Sequence, residues 1–494
     1  MQKVMLSNLA KHRAWLFFGL YVLVLLCNVL LHEPWRDEFH SWNIARVSDG
    51  MAELMQNKTY EGHPILWYLF CWMLTRMTEA PEGLAIMHML IVAGGGFLFF
   101  RYAPFPPVLR FIFLLGYFPL FEYGTLARNY AILILLLWAY CWLRSKKNTA
   151  WLSLLMIGLM MFTQIYGILL AIALMVDWLW ENKTQKWHIP ILGGIAFALT
   201  FLLAYLDIKP PADVTAHSRW YSDFSWENIS YALSVLWDAY FPIPQLQFHF
   251  WNTNILKFDS EQLTLTLKTL GGLLIWATLT FGVLRATRSR ILFALGTLAC
   301  LAFAFAKFHG YMRHHGHLFL WFWVVLWLEK GLDNSPLQKA QQWILYALLG
   351  IQLFAGMFAS VQDWLHPFSP VKEVAAYIKE IESKQAHEIW VSDPDYLIEP
   401  IGAMLKHPLY FPKQEKMARF PQWDKDWGYI TPEEVLSKAQ LIAEKEPILL
   451  LLGYEMKVAP APGFQLELRR QFKAGIEASE RFWIYELRKS HDSF

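Results

Sequence analysis

Residues 14–42 read AWLFFGLYVLVLLCNVLLHEPWRDEFHSW. The first part, 14–31, is an uncharged apolar run close to the length a helix needs to cross the hydrocarbon core of a bilayer. Lys11, His12 and Arg13 precede it and no small-residue cleavage site follows, so the run is expected to stay in the protein as a membrane anchor. The chain then changes character at once. In Trp35-Arg36-Asp37-Glu38-Phe39-His40-Ser41-Trp42 the aromatic residues Trp35, Phe39 and Trp42 recur at i, i+4 and i+7, the spacing of an amphipathic helix. Such a helix is expected to lie in the membrane interface with its aromatic face in lipid. Asp37 and Glu38 then stand at the membrane surface just after the first crossing.

The same division runs through all 494 residues. The chain is 56% hydrophobic and 17% charged, against about 25% charge in an ordinary soluble domain. The 124 residues from Val371 carry 17 Lys and Arg and 20 Asp and Glu, and the 370 before them carry 26 and 21. The charged fraction is thus about 30% in the tail and about 13% in the body, the contrast between a soluble domain and a membrane domain. A disordered chain, a fibrous protein and a wholly soluble enzyme are excluded. The net charge of +2 is too weak for a nucleic-acid partner, which needs a basic face. Cys27, Cys71, Cys141 and Cys300 all lie in apolar runs, so no disulfide framework or zinc-ribbon spacing is present.

Further apolar runs fall at 84–100, 111–121, 130–143, 151–162, 167–180, 189–206, 270–284, 291–308, 318–328 and 343–358. With the first anchor they make about eleven expected spans in a body domain of residues 1–360. Lys and Arg collect on the cytoplasmic side. Eleven crossings put every basic cluster there: 11–13, Arg101 with Arg110, 144–147, Lys183 with Lys186, 285–290 and 329–339. The first outer loop, 32–62, the connections 122–129, 163–166, 207–254 and 309–317, and the tail then lie outside. A crossing at 64–77, which begins with Pro64 and contains Arg76, would invert all later loops, so this stretch is expected to be juxtamembrane or re-entrant.

The tail, 371–494, reads as a small α/β domain. Helical spacing covers 371–382, a short strand covers 388–391 before the turn Asp393-Pro394-Asp395, and Thr431 is the N-cap of a helix. Residues 447–452 form a buried strand, and the alternating runs 464–472 and 481–487 are antiparallel strands. No glycine-rich phosphate loop or nucleophile motif occurs in it.

The chemistry is concentrated in the outer loops. Glu61-Gly62-His63-Pro64, Ala127-Arg128-Asn129-Tyr130, Thr163-Gln164-Ile165-Tyr166-Gly167 and the run 309–317, with Arg313, His314 and His315, join Asp37 and Glu38 on one face. Each has a bland explanation: Asp37 and Glu38 are favoured by a helix dipole, and Arg128 can snorkel to headgroups. Ionisable groups this deep, however, normally line a water-filled cavity, and five such clusters on one face point to one.

A membrane body with an Asp-Glu pair in an interfacial helix after the first span resembles the GT-C glycosyltransferases, the group that includes protein mannosyltransferases, aminoarabinose transferases and bacterial lipid-sugar transferases. The resemblance rests on Asp37-Glu38, on the Gly62-His63-Pro64 lead-in to the next apolar stretch, on 127–130 and on 163–167, and covers roughly residues 1–330 in layout. It implies an α-helical polytopic membrane protein of GT-C type with a small extracytoplasmic α/β domain, in a bacterial inner membrane. It also implies a donor sugar carried on a polyprenyl phosphate, a lipid, glycan or protein acceptor, a first-loop acid as base or metal ligand, and basic side chains that hold phosphate. The Arg313-His314-His315-Gly316 run is not a general feature of that group.

Sugar transfer to a hydroxyl needs a carboxylate to take the proton, which Asp37 or Glu38 can supply. A departing lipid phosphate needs cationic or donor groups, which Arg128, Arg313, His314 and His315 can supply. Glu61, His63, Tyr130, Gln164 and Tyr166 are the further substrate-binding candidates. Adjacent helical residues point about 100° apart, which turns Asp37 away from the aromatic stripe and makes it the better base, with Glu38 as its partner. Asp37, Glu38 and His63 could together hold a divalent metal, although no HExxH spacing is present. The alternative from another class is a transporter or flippase of a polar lipid-linked substrate; the paired repeats common in transporters are absent from the sequence.

Overall fold

A segment in lipid must satisfy its backbone internally, and the body is accordingly built from helices. The computed structural model describes residues 2–214, 220, 223–333, 336–384, 389–405 and 407–490; the first residue of the strand expected at 388–391 lies outside them. The body helices are α1 (Gln2–Leu31), α2 (Arg36–Val47), α3 (Met51–Asn57), α4 (Ile65–Thr75), α5 (Glu82–Tyr102), α6 (Pro107–Leu114), α7 (Tyr130–Arg144), α8 (Ala150–Met161), α9 (Ile165–Asn182) and α10 (His188–Ile208). They continue as α11 (Trp226–Tyr240), α12 (Glu261–Ala277), α13 (Thr287–Ala306), α14 (Met312–Asp333) and α15 (Lys339–Leu365).

Six described helices are long and apolar enough to cross a membrane: α5, α9, α10, α12 with its π-helical extension to Val283, α13 and α15. The bent pair α1–α2 makes a seventh if it counts as one span. The chain is an integral membrane protein. Helices α4, α7 and α8 are apolar but shorter. The run expected at 111–121 is not one helix: α6 stops at Leu114 and a π-helical turn, Tyr117–Glu122, follows. Gly116 takes an extended conformation between them, and Pro119 can donate no backbone hydrogen bond to an α-helix.

Helix α14 is the axis of the bundle. Every side chain from Leu318 to Trp327 is buried, as befits a helix that is apolar all round. Gly296 of α13 lets Trp321 in, since a Cβ there would stand 2.3 Å from the indole.

Helix α2 leaves α1 at 79°. The cause is local, because Pro34 lacks a donor and pushes Glu33 out of the helical region. The sequence placed Trp35, Phe39 and Trp42 in lipid, and the structure corrects this: all three are buried inside the protein. Helix α2 packs against α4 on one side and against the tail on another. Trp35 stands edge-on to Trp251, with centroids 4.6 Å apart.

The tail holds α16 (Val371–Lys384), β1 (Trp390–Asp393), α17 (Asp395–Leu405), β2 (Leu409–Phe411), β3 (Lys416–Ala418), α18 (Pro432–Ala443), β4 (Ile448–Leu452), β5 (Phe464–Phe472) and β6 (Phe482–Lys489). The sheet order is β3-β2-β1-β4-β6-β5, with β1 parallel to β2 and β4 and the other pairs antiparallel. Alternation sorts its two faces: Leu449 and Leu451 pack with α16 and α17, and Ile448, Leu450 and Leu452 pack with α18. Thr431 caps α18 by accepting from the Glu434 backbone N–H. Helix α17 and the hairpin β2–β3 add to what the sequence pattern predicts, and α17 lies on α2.

Candidate active site at the junction of body and tail

Four tail groups seat α2. Glu480 Oε1 accepts from the Arg36 backbone N–H at 2.9 Å, and Ser479 Oγ accepts from its guanidinium at 2.8 Å. Glu399 stands 2.8 Å from His40 Nδ1 and accepts from Asn43 at 3.3 Å, and the Ala403 carbonyl accepts from Arg46 at 3.2 Å. The other ring nitrogen of His40 meets Glu61 Oε2 at 2.5 Å. Burial disfavours the charge on His40, but Glu399 and Glu61 outweigh it and raise its pKa well above the usual histidine range.

Asp37 and Glu38 have opposite surroundings. Asp37 is 28% exposed, and its Oδ2 lies 2.5 Å from Arg128 Nη1 and 3.5 Å from Arg313 Nη2. Arg36 Nε stands 3.9 Å from Oδ1. Burial pushes the Asp37 carboxyl up, yet the guanidinium groups of Arg128, Arg313 and Arg36 prevail and hold it well below the usual carboxylate range. Glu38 is 3% exposed. Its Oε1 accepts from the Trp35 backbone N–H and meets His32 Nε2, both at 3.0 Å, and its Oε2 accepts from the Ala127 N–H at 2.6 Å. His32 Nδ1 reaches Asp363 of α15 at 2.9 Å. Glu38 therefore ties α2 to α1, α15 and the segment before Arg128, and thereby sets Arg128 in front of Asp37.

Arg313 is fixed by aromatic faces. Its guanidinium lies 5.3 Å from the Trp35 ring, 5.6 Å from Trp251 and 4.9 Å from Tyr311, cation–π contacts that hold it without neutralising it. Its Nε has no hydrogen-bond partner among the described residues. Tyr130 lies 5.9 Å beneath Arg128. Tyr166 stacks on His317 at 4.5 Å and on His314 at 6.0 Å, and Gln164 Nε2 meets His317 Nε2 at 2.7 Å. His314 Nδ1 accepts from the Tyr311 N–H at 2.9 Å. Burial, followed by Arg128, lowers the pKa of His63 to about 4, so its ring is neutral, and its Nδ1 has no partner among the described residues.

The structure brings Asp37, Arg128, Arg313 and Tyr130 together, with the stack of Tyr166, His314 and Gln164's partner His317 beside them. It turns His315 elsewhere, to the His309 carbonyl at 3.0 Å and to Asp238 at 3.4 Å. Glu61 belongs to the His40 cluster. Asp37, Glu38 and His63 do not form the metal site that their residue types allowed: no group of three or more His, Cys, Asp or Glu side chains suited to a metal occurs among the described residues, and Glu38 is occupied by His32, Trp35 and Ala127. Sequence reasoning missed His32, Asp363, Glu399 and Glu480, which join α2 to segments far away in the chain. Glu122 Oε2 accepts from Tyr117 and Trp251 at 3.0 and 3.1 Å.

No family model matches the sequence. No curated protein matches it either. Among solved structures the chain is similar to that of ArnT from Cupriavidus metallidurans bound to undecaprenyl phosphate, with a TM-score of 0.55 and 12% identity over 96% of this chain and 98% of that one. The fold is thus ArnT-like. The likeness to ArnT runs through body and tail alike, so the tail sheet belongs to the shared fold and is not a separate appendage.

Proposed function

We propose that the chain is a membrane glycosyltransferase that moves a sugar from a polyprenyl-phosphate donor to a hydroxyl of a lipid, glycan or protein acceptor on the extracytoplasmic face. The observation that carries this reading is one partly exposed carboxylate, Asp37, facing the guanidinium groups of Arg128 and Arg313. Asp37 takes the proton of the acceptor hydroxyl as its oxygen bonds to the anomeric carbon. The bond from that carbon to the phosphate oxygen breaks, and polyprenyl phosphate leaves with the electron pair, held by the two arginines.

An acid pinned by guanidinium groups is a poor base. The donor phosphate supplies the remedy, because it competes for Arg128 and Arg313 and releases their hold on Asp37 as it binds. Donor binding thus precedes deprotonation of the acceptor. Every oxygen of the neighbouring acid, Glu38, is hydrogen-bonded away from the cavity, which supports a single displacement with inversion. An apolar groove lined by Leu155, Gly158, Leu159, Phe162, Phe197 and Thr200 suits an isoprenoid chain.

The test is incubation of the purified protein with radiolabelled polyprenyl-phosphate sugars. Label should leave the lipid with wild type and stay on it with Asp37→Asn. If no donor is consumed while vesicles take up the intact lipid-linked substrate, the transport reading replaces this one. For orientation, an impermeant thiol reagent should label a cysteine placed at Lys457 from outside the cell and spare one at Ser145; the reverse would overturn the orientation read from the basic clusters.

A further inference from the structure

Between the hairpin β2–β3 and α18 the tail carries a loop with Trp423, Trp427 and Tyr429. Their rings form a continuous group: Trp423 and Trp427 are 4.7 Å apart, Trp427 and Tyr429 5.6 Å, and Tyr429 lies 6.4 Å from Tyr396 of α17. This is not core packing. Tyr429 is 71% exposed, and Trp423, Trp427 and Tyr396 are only half-buried. The loop is nonetheless held in place, since Lys416 donates to the Gln422 side chain at 3.1 Å and the Trp427 N–H donates to the Asp424 carbonyl at 3.1 Å.

Two further features distinguish this patch from a chance exposure of rings. Asp395 is buried beneath it, with Oδ1 accepting from Trp427 Nε1 at 3.4 Å and Oδ2 without any partner among the described residues. Buried carboxylate oxygens are normally hydrogen-bonded. The patch also abuts the candidate active site: the Arg36 guanidinium that stands 3.9 Å from Asp37 lies 5.9 Å from the Tyr396 ring, and His40, one turn after Asp37, lies 6.0 Å from the Trp423 ring.

We infer that Tyr396, Trp423, Trp427 and Tyr429 form an acceptor subsite for a carbohydrate chain, with Asp395 beneath it. This rests on the glycosyltransferase reading and narrows the acceptor to a glycan. Aromatic faces take up the C–H faces of pyranose rings while their polar edges keep hydrogen bonds, and carboxylates accept from sugar hydroxyls. A lipid surface fits less well, because Lys425 and Asp426 are exposed between the tryptophans and charged groups within an apolar contact are unfavourable. The patch thus adjoins Asp37 through Arg36, which faces Oδ1, while Arg128 and Arg313 face Oδ2.

Calorimetric titration of the full-length protein in detergent with soluble hexasaccharides of glucose, mannose and N-acetylglucosamine tests this without any donor, so its outcome is independent of whether sugar transfer occurs. At least one hexasaccharide should bind. Tyr429→Ala, at a position too exposed to carry the fold, should weaken it at least about tenfold, the loss of roughly one aromatic contact. Trp427→Ala should do the same, and Tyr429→Phe should bind like wild type. Binding of no member of the panel, or binding untouched by both Ala variants, would overturn the inference. So would phospholipid or peptide binding that the same variants abolish.

Discussion

At the start of α7 two arginines, Arg128 and Arg313, converge on one carboxylate; at its end two arginines meet two. There Arg144 and Arg288 share Asp177 and Glu181, with contacts of 3.2, 2.9, 2.6 and 3.1 Å, and Tyr140 donates to Asp177 at 2.9 Å. Every charge in that set is answered, and Asp177 is only 3% exposed. The set rivets α7, α9 and α13 together. At the other end Arg36 is answered by Glu480, which leaves Arg128 and Arg313 to share Asp37. Surplus positive charge beside a partly exposed acid has no structural use. Such an imbalance marks a place where an anion is still to arrive.

The largest break between the two ends should come from Asp37→Asn. Turnover should fall by about a thousandfold, as for loss of a general base, with thermal unfolding near that of wild type; an active variant would refute the role. At the other end, Asp177→Ala leaves Arg144 and Arg288 to share Glu181 alone. It should reduce stability by about 3 kcal/mol, read as a lower unfolding temperature, while turnover per folded molecule is retained. A loss of turnover without a loss of stability would erase the distinction.

Arg128→Ala and Arg313→Ala should each lower kcat/KM for the donor by about a hundredfold. Lysine at either position should restore part of it, since the charge returns without the planar fork. The smallest effect near neutrality concerns His32. Burial disfavours its charge, but Asp363 and Glu38 prevail and raise its pKa from 6.5 to about 10. A raised pKa contributes stability that is full below pH 6.5 and is lost as pH climbs towards 10. The unfolding temperature should fall over that window, and His32→Gln should flatten the fall; an unchanged slope would disprove the coupling.

What the sequence revealed and what it concealed follow from range. Hydropathy separated body from tail because a bilayer and water select composition over long stretches. The spacing of Trp35, Phe39 and Trp42 marked α2 correctly as a helix, but an apolar stripe looks the same whether lipid or protein covers it. Here the cover is α4 and the tail. Asp37, Arg128 and Arg313 were recognisable as charges in short connections between apolar runs. Glu399 was not, because it lies in a stretch that reads as a turn and a Pro-containing apolar segment, and nothing local ties it to His40. His32 and Asp363 are separated by most of the body, and only the packing of α1 against α15 brings them together.

Helix α2 is gripped by the tail at its beginning, middle and end, through Glu480, Glu399 and the Ala403 carbonyl. The two parts therefore cannot be exchanged between proteins as independent cassettes. A chimera that grafts a foreign tail onto this body would expose Trp35 and the first turn of α2 to solvent and leave His40 paired with Glu61 alone. Any workable transplant has to keep Glu399, Glu480 and the Ala403 carbonyl in register with α2, because Glu38 also ties that helix into the body.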